Sequence, residues 1–222
     1  MDSMTKAEVR TRIEEIGIIP ALRVPTPEQA IFGAEAVNHA GIPIVEITNT
    51  VPDAAGVISR LTQRFPDMVV GGGTVLDTET ARRCLDAGAT FLTSPGLVME
   101  VVEFALRNDV VVFPGALTPS EVITAWKAGV DFVKIFPCAP VGGHIYIRSL
   151  KVPMPQIPLI ATGGVNQTSA VNFILAGATA LGIGAELIPH EALQRRKEEQ
   201  IHELARRYLG MVKHARERKA GR

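Results

Sequence analysis

Along this chain the apolar residues gather into eight short runs that are nearly continuous rather than alternating with polar positions. Four of them share one pattern, a helical stretch ending in Ala-Gly and then an apolar run: HAGIPIVEI at 39–47, DAGATFLTS at 86–94, KAGVDFVKI at 127–135 and LAGATALGI at 175–183. Glycine suits the left-handed position that closes a helix, and the run that follows has strand length. GIIPALR from Gly17, DMVVGGG from Asp67, DVVVFPG from Asp109 and IPLIATGG from Ile157 complete the set. Strands apolar on both faces are expected in a parallel sheet covered on both sides. Helix starts fill the gaps. Thr26-Pro27-Glu28-Gln29 and Thr118-Pro119-Ser120-Glu121 read as capping boxes with proline at the first helical position. Asp53, Asp77 or Thr78, Ser94-Pro95 and Asn166 are further candidate starts.

Strand and helix thus alternate eight times with short connections and no Ser/Gly-rich linker. The expected fold is an α/β (β/α)8 TIM barrel occupying residues 1–222 as a single domain. An amphipathic helix before the first strand would cap one end of it. An open doubly wound sheet is the competing architecture, but it usually carries Gly-x-Gly-x-x-Gly after its first strand, and GIIPALRVPTPEQ has none. Beyond Glu191 the pattern predicts a polar, basic helix ending in HARERKAGR, with its last residues frayed.

Composition narrows the partners. The 222 residues carry 23 Lys+Arg against 23 Asp+Glu, a balance that argues against a nucleic-acid binder. The 46% hydrophobic content suffices for a full core, and no apolar run reaches the roughly 20 residues of a membrane span. The charged start MDSMTKAEVRTRIEEIG lacks the apolar segment of a secretory signal. Only Cys84 and Cys138 are present, without CxxC spacing, which fits a reducing cytoplasm and offers no zinc site. His39, His144, His190, His202 and His214 show no metal-ligand spacing and read as solvated side chains.

In such a barrel the chemistry lies at the carboxyl ends of the strands, so polar residues there are the candidates. Lys134 interrupts the apolar run DFVKIF. Burying its ammonium is costly, so a lysine enclosed there tends to the neutral amine, a nucleophile toward ketones. The alternative is a lysine that snorkels to solvent or pairs with a carboxylate. Glu46 interrupts IVEI in the same way, as an acid/base partner of Lys134 or as half of a structural ion pair. Arg23 ends the first run and either grips a carboxylate or phosphate or is a solvated loop residue. Thr74, after three glycines, offers a hydroxyl to an oxyanion, although Gly-Gly-Gly is also simply a flexible turn. ATGGVN and GIGAEL, with Gly184, close strands seven and eight, where barrels often hold phosphate on backbone amides. Cys138, near Lys134, reads as packing.

Five segments in order and in register resemble the KDPG/KHG aldolase family, class I enzymes cleaving 2-keto-3-deoxy-6-phosphogluconate (KDPG) and 4-hydroxy-2-oxoglutarate. They are VEIT around Glu46, VGGGTVLD at 70–77, TSPG at 93–96, VKIFP at 133–137 and ATGGV at 161–165, and the likeness runs over residues 7–193. The resemblance implies a (β/α)8 barrel, usually a homotrimer, acting on a keto acid without metal or cofactor, with pyruvate and an aldehyde phosphate as its small-molecule partners. It implies a Schiff base on Lys134, acid/base work by Glu46, carboxylate contact by Thr74, a pocket wall at Pro95, and a substrate and phosphate end lined by Thr162, Gly163 and Gly164. Two positions depart from the family pattern. Many members carry an arginine four residues after the glutamate, where this chain has Thr50, and Arg23 could supply that charge. Many KDPG-cleaving members also carry a serine where Ala185 stands. The resemblance leaves other substrates open: the galactonate epimer (2-dehydro-3-deoxy-6-phosphogalactonate) or unphosphorylated hydroxyoxoglutarate. A phosphate-binding isomerase or decarboxylase using Lys and Glu without covalency is the alternative outside the aldolases.

Overall fold

The computed structural model describes residues 4–221. In chain order the elements are α1 (Lys6–Ile16), β1 (Ile18–Leu22), α2 (Pro27–His39), β2 (Ile44–Thr48), α3 (Ala54–Arg64), β3 (Val69–Gly73), α4 (Thr78–Asp86), β4 (Phe91–Thr93) and α5 (Met99–Arg107). There follow β5 (Val111–Phe113), β6 (Gly115–Ala116), α6 (Pro119–Lys127), β7 (Val133–Ile135), a short 3-10 turn, α7 (His144–Lys151), β8 (Leu159–Thr162), α8 (Ala170–Leu175), β9 (Ala180–Ile183), α9 (His190–Gln194) and α10 (Glu198–Ala220). All the pairings are parallel, in the order β5-β4-β3-β2-β1-β9-β8-β7-β6. The eight predicted runs are all strands, and the fifth is divided at Pro114. Its first half pairs with β4 and its second half with β7. Proline has no N–H to extend a ladder, so the strand changes partners there and the barrel closes through the chain itself. The result is a nearly closed α/β barrel.

Although the strands read as uniformly apolar, their two faces differ. One face packs under the surrounding helices, in a large cluster that includes Val45, Ile47, Val70, Leu92 and Val133. The other face lines the lumen, whose floor is a separate cluster containing Ile19, Ile44, Phe91, Phe113, Phe132, Ile160 and Ala180. Phe91 and Phe113 stack with ring centroids 5.1 Å apart, and Phe132 meets Phe113 edge-on. Helix α1 caps this floor with Val9 and Ile13, both fully buried, as its position before the first strand predicts.

Of the expected helix starts, Thr118 makes the full capping box and Asp53 and Asp77 cap α3 and α4. Thr26 caps α2 by accepting from Gln29 N, but Gln29 Oε1 is buried without a partner, so the box is half made. Asn166 caps the turn leading into α8, its Oδ1 accepting from Thr168 N and Ser169 N. Ser94-Pro95 starts no helix: Ser94 Oγ donates to Gly96 O, and α5 begins only at Met99. The expected polar, basic C-terminal helix is present from Glu198, and it carries a buried stripe that the expectation did not include. The chain breaks at Arg196, which has a positive φ of 50°, and α10 then lays Ile201, Ala205, Tyr208, Val212 and Ala215 against the barrel wall. Its helix runs through most of HARERKAGR and ends at Ala220; Arg222 lies outside the described residues. Among the described residues no helix is long and apolar enough to cross a membrane.

Candidate active site

The polar site follows from the two-residue period of a strand. Stepping by twos from the floor toward the carboxyl ends gives Ile19, Ala21 and Arg23 on β1 and its loop, and Ile44, Glu46 and Thr48 on β2. The same steps give Phe132, Lys134 and Phe136 around β7, and Ile160, Thr162 and Gly164 around β8. The first of each set lies in the floor, and the other two line a cavity of about 370 Å³ at the mouth of the barrel. All nine expected site residues, namely Arg23, Glu46, Thr74, Pro95, Lys134, Thr162, Gly163, Gly164 and Gly184, line that cavity.

Lys134 and Glu46 come from strands on opposite arcs of the barrel and meet across it. Lys134 Nζ is 3.8 Å from Glu46 Oε2, with the two residues 8% and 5% exposed. The snorkelling alternative therefore fails, because the amine points into the lumen rather than to bulk solvent. Its Nζ lies 5.7 Å from the centre of the Phe136 ring, close enough for the aromatic face to support positive charge. Gly73 makes room for the Glu46 carboxylate, since a Cβ there would stand 1.9 Å from its Oε1, and Gly71 makes room for the Phe91 ring of the floor, 2.2 Å from where its Cβ would be.

Arg23 is positioned rather than loose. Its guanidinium donates to Thr74 Oγ1 at 3.2 Å and to Thr50 Oγ1 at 3.5 Å, so the charge reaches the place where the sequence has Thr50 instead of arginine. Thr74 itself adopts φ 56°, an uncommon left-handed conformation that directs its side chain to this cluster. Gly163 and Gly164 have φ of 85° and 87°, and a Cβ on Gly164 would lie 2.4 Å from Ala139, so this turn requires glycine. Pro95 stands where its carbonyl faces Gly115, with only 2.1 Å left for any Cβ there.

Cys138 is buried, and that burial pushes its thiol up to about 12, so it stays protonated and is no rival nucleophile. Sequence reasoning missed Thr48, whose hydroxyl donates to Leu22 O and lies 2.7 Å from Thr50 Oγ1, tying β2 to the Arg23 loop. It also missed Phe136, Glu186 and His190 as cavity residues. The lumen period of two, extended past the end of β7, would have found Phe136. The fold brings two further histidines, His39 and His202, together with Glu198 between them.

A family model described as KDPG and KHG aldolase matches residues 9–204. The 2-dehydro-3-deoxy-phosphogluconate aldolase of Pseudomonas aeruginosa is 29% identical over 203 residues, spanning 91% of this chain and 92% of that protein. The 2-dehydro-3-deoxy-6-phosphogalactonate aldolase of Escherichia coli is 33% identical over 175 residues, 78% of this chain and 85% of the relative. A crystal structure of KDPG aldolase from Legionella pneumophila, with pyruvate captured at low pH as a covalent carbinolamine, has a TM-score of 0.82 at 28% identity, covering 89% of this chain and 96% of that one.

Proposed function

The chain belongs to the KDPG and KHG aldolase family, and we propose on that premise that it reversibly cleaves 2-keto-3-deoxy-6-phosphogluconate to pyruvate and glyceraldehyde 3-phosphate through a Schiff base on Lys134. The observation that carries this reading is the enclosed amine of Lys134 set 3.8 Å from the Glu46 carboxylate above an apolar floor. The Lys134 amine adds to the C2 ketone as Glu46 takes up its proton, and Glu46 returns that proton to the departing oxygen, so that water leaves and an iminium remains. Glu46 accepts the proton of the C4 hydroxyl. The C3–C4 bond then breaks, its electron pair moving to the iminium to give a pyruvate enamine, and the aldehyde departs. Protonation at C3 and hydrolysis release pyruvate and restore the lysine. Because the iminium takes up the electrons, the carbon–carbon cleavage proceeds without a metal or organic cofactor.

Arg23 and Thr74 together suit the substrate's carboxylate. Thr162, Gly163, Gly164 and Gly184 suit its phosphate end, where backbone rather than the side chain of Ala185 would serve. The same reading carries the expectation of a homotrimer. Borohydride added with pyruvate is expected to leave a covalent adduct on the peptide containing Lys134, absent in Lys134→Ala, whose turnover falls by roughly 10⁴-fold or more. Glu46→Gln is expected to lose about 10²–10⁴-fold in cleavage rate while still forming the adduct. An unmodified Lys134 peptide in the native protein would overturn the proposal, and cleavage of the galactonate epimer in preference to KDPG would overturn its substrate.

A further inference from the structure

On the outer wall, at the end of the barrel where the strands begin, the fold assembles a second chemical group. His39 closes α2 just before β2, Glu198 opens α10, and His202 follows Glu198 by four residues on the same face of that helix. His39 Nδ1 lies 3.1 Å and His202 Nε2 lies 3.3 Å from Glu198 Oε1, and the three atoms fall within 4.8 Å of one another. We propose that His39, Glu198 and His202 form a binding site for a divalent transition ion of the zinc type, which pins the start of α10 to the end of α2.

The donor set argues for the ion's class. Two imidazoles and a carboxylate suit zinc and its neighbours, whereas magnesium and calcium prefer oxygen alone. Geometry agrees. Zinc bonds to nitrogen and oxygen of about 2.0–2.2 Å at tetrahedral angles place ligand atoms about 3.3 Å apart. The two separations from Glu198 Oε1 already match such edges. His202 Nε2 is shut off from solvent, and the charged group within its reach is the same Glu198 oxygen, 3.3 Å away. A shared ion would use the lone pair of that nitrogen. The His39 ring is held edge-on by Phe65, with centroids 6.0 Å apart, so one ligand is pre-oriented. The side chain of His39 is 49% exposed, which gives an ion a path of entry and leaves a fourth position for water.

The test is titration of the chelator-stripped protein with zinc chloride, followed by calorimetry and by melting temperature. One zinc per chain is expected, with the melting temperature raised by about 5–10 °C at zinc one hundred times its dissociation constant. His39→Ala, at the open side of the site, should weaken binding by about 100-fold or more and remove the thermal shift. Glu198→Gln and His202→Ala should do the same, while pyruvate trapping on Lys134 certifies that each variant is folded. Cobalt(II) in place of zinc should give the intense visible bands of a tetrahedral nitrogen and oxygen site. Failure of the parent protein to bind zinc would overturn the assignment. So would zinc binding that survives both His39→Ala and Glu198→Gln.

Discussion

A glycine decides how the central pair is presented. Gly73 ends β3 in register with Thr48 of β2, and the only space for a Cβ there is already held by the Glu46 carboxylate, 1.9 Å away. Because the ladder fixes the backbone of both strands, Gly73→Ala must displace Glu46 rather than the sheet. We expect kcat to fall about 100-fold, the size of effect that follows a misplacement of about 1 Å, with an unchanged circular dichroism spectrum. Retained activity would mean that the carboxylate has room to move without consequence. At this scale the chain itself was informative. Lys134 and Glu46 stand out because charged residues interrupting buried strands are costly unless paired. Thr48 and Phe136 did not stand out, since a threonine or a phenylalanine in an apolar strand is unremarkable until its face is known.

At the scale of elements, short polar motifs set where helices begin. The Thr118 box is the clearest. Glu121 accepts from Leu117 N, Thr118 N and Thr118 Oγ1, and Thr118 accepts from Glu121 N. The backbone bond from Leu117, then the two from Thr118, hold the Glu121 carboxyl below its ordinary value of 4.5. A carboxyl lowered in the fold adds stability above the value it has in the unfolded chain, and that stability is lost as pH falls through the folded value. Glu121→Gln is therefore expected to cost about 0.5–1 kcal/mol in urea unfolding at pH 7, a modest figure because the group is only half-buried. The gap to the parent should close below pH 4.5. A gap independent of pH would assign the cost to lost packing instead. The Ser94-Pro95 signal failed for a local reason: the Ser94 hydroxyl turns to Gly96 O instead of capping a helix. The polar reading of α10 passed over its buried stripe because charges dilute the apolar residues. The buried residues Ile201, Ala205, Tyr208, Val212 and Ala215 recur at helical spacing but include small side chains.

For the whole molecule, α1 is a structural test of the barrel. Ile13 is fully buried beneath the lumen floor. Ile13→Ala is expected to lower unfolding free energy by about 2–5 kcal/mol, read by denaturant titration, because it removes buried apolar surface and opens a cavity under the lumen floor. A loss under about 1 kcal/mol would show that the lumen does not depend on its cap. The strand and helix alternation, the eight runs and the two charged residues in buried strands are local properties, set by periodicity and by the cost of burying charge, and they can be read from the chain. The sequence could propose that Glu46 partners Lys134, but it is the tertiary structure that brings such distant residues into contact. Closure of the sheet carries Lys134 to Glu46 over 88 positions of sequence, and the packing of α10 on α2 carries His202 to His39 and Glu198. Such pairs share no local pattern, because their contact depends on the strand order and helix crossing of the entire fold.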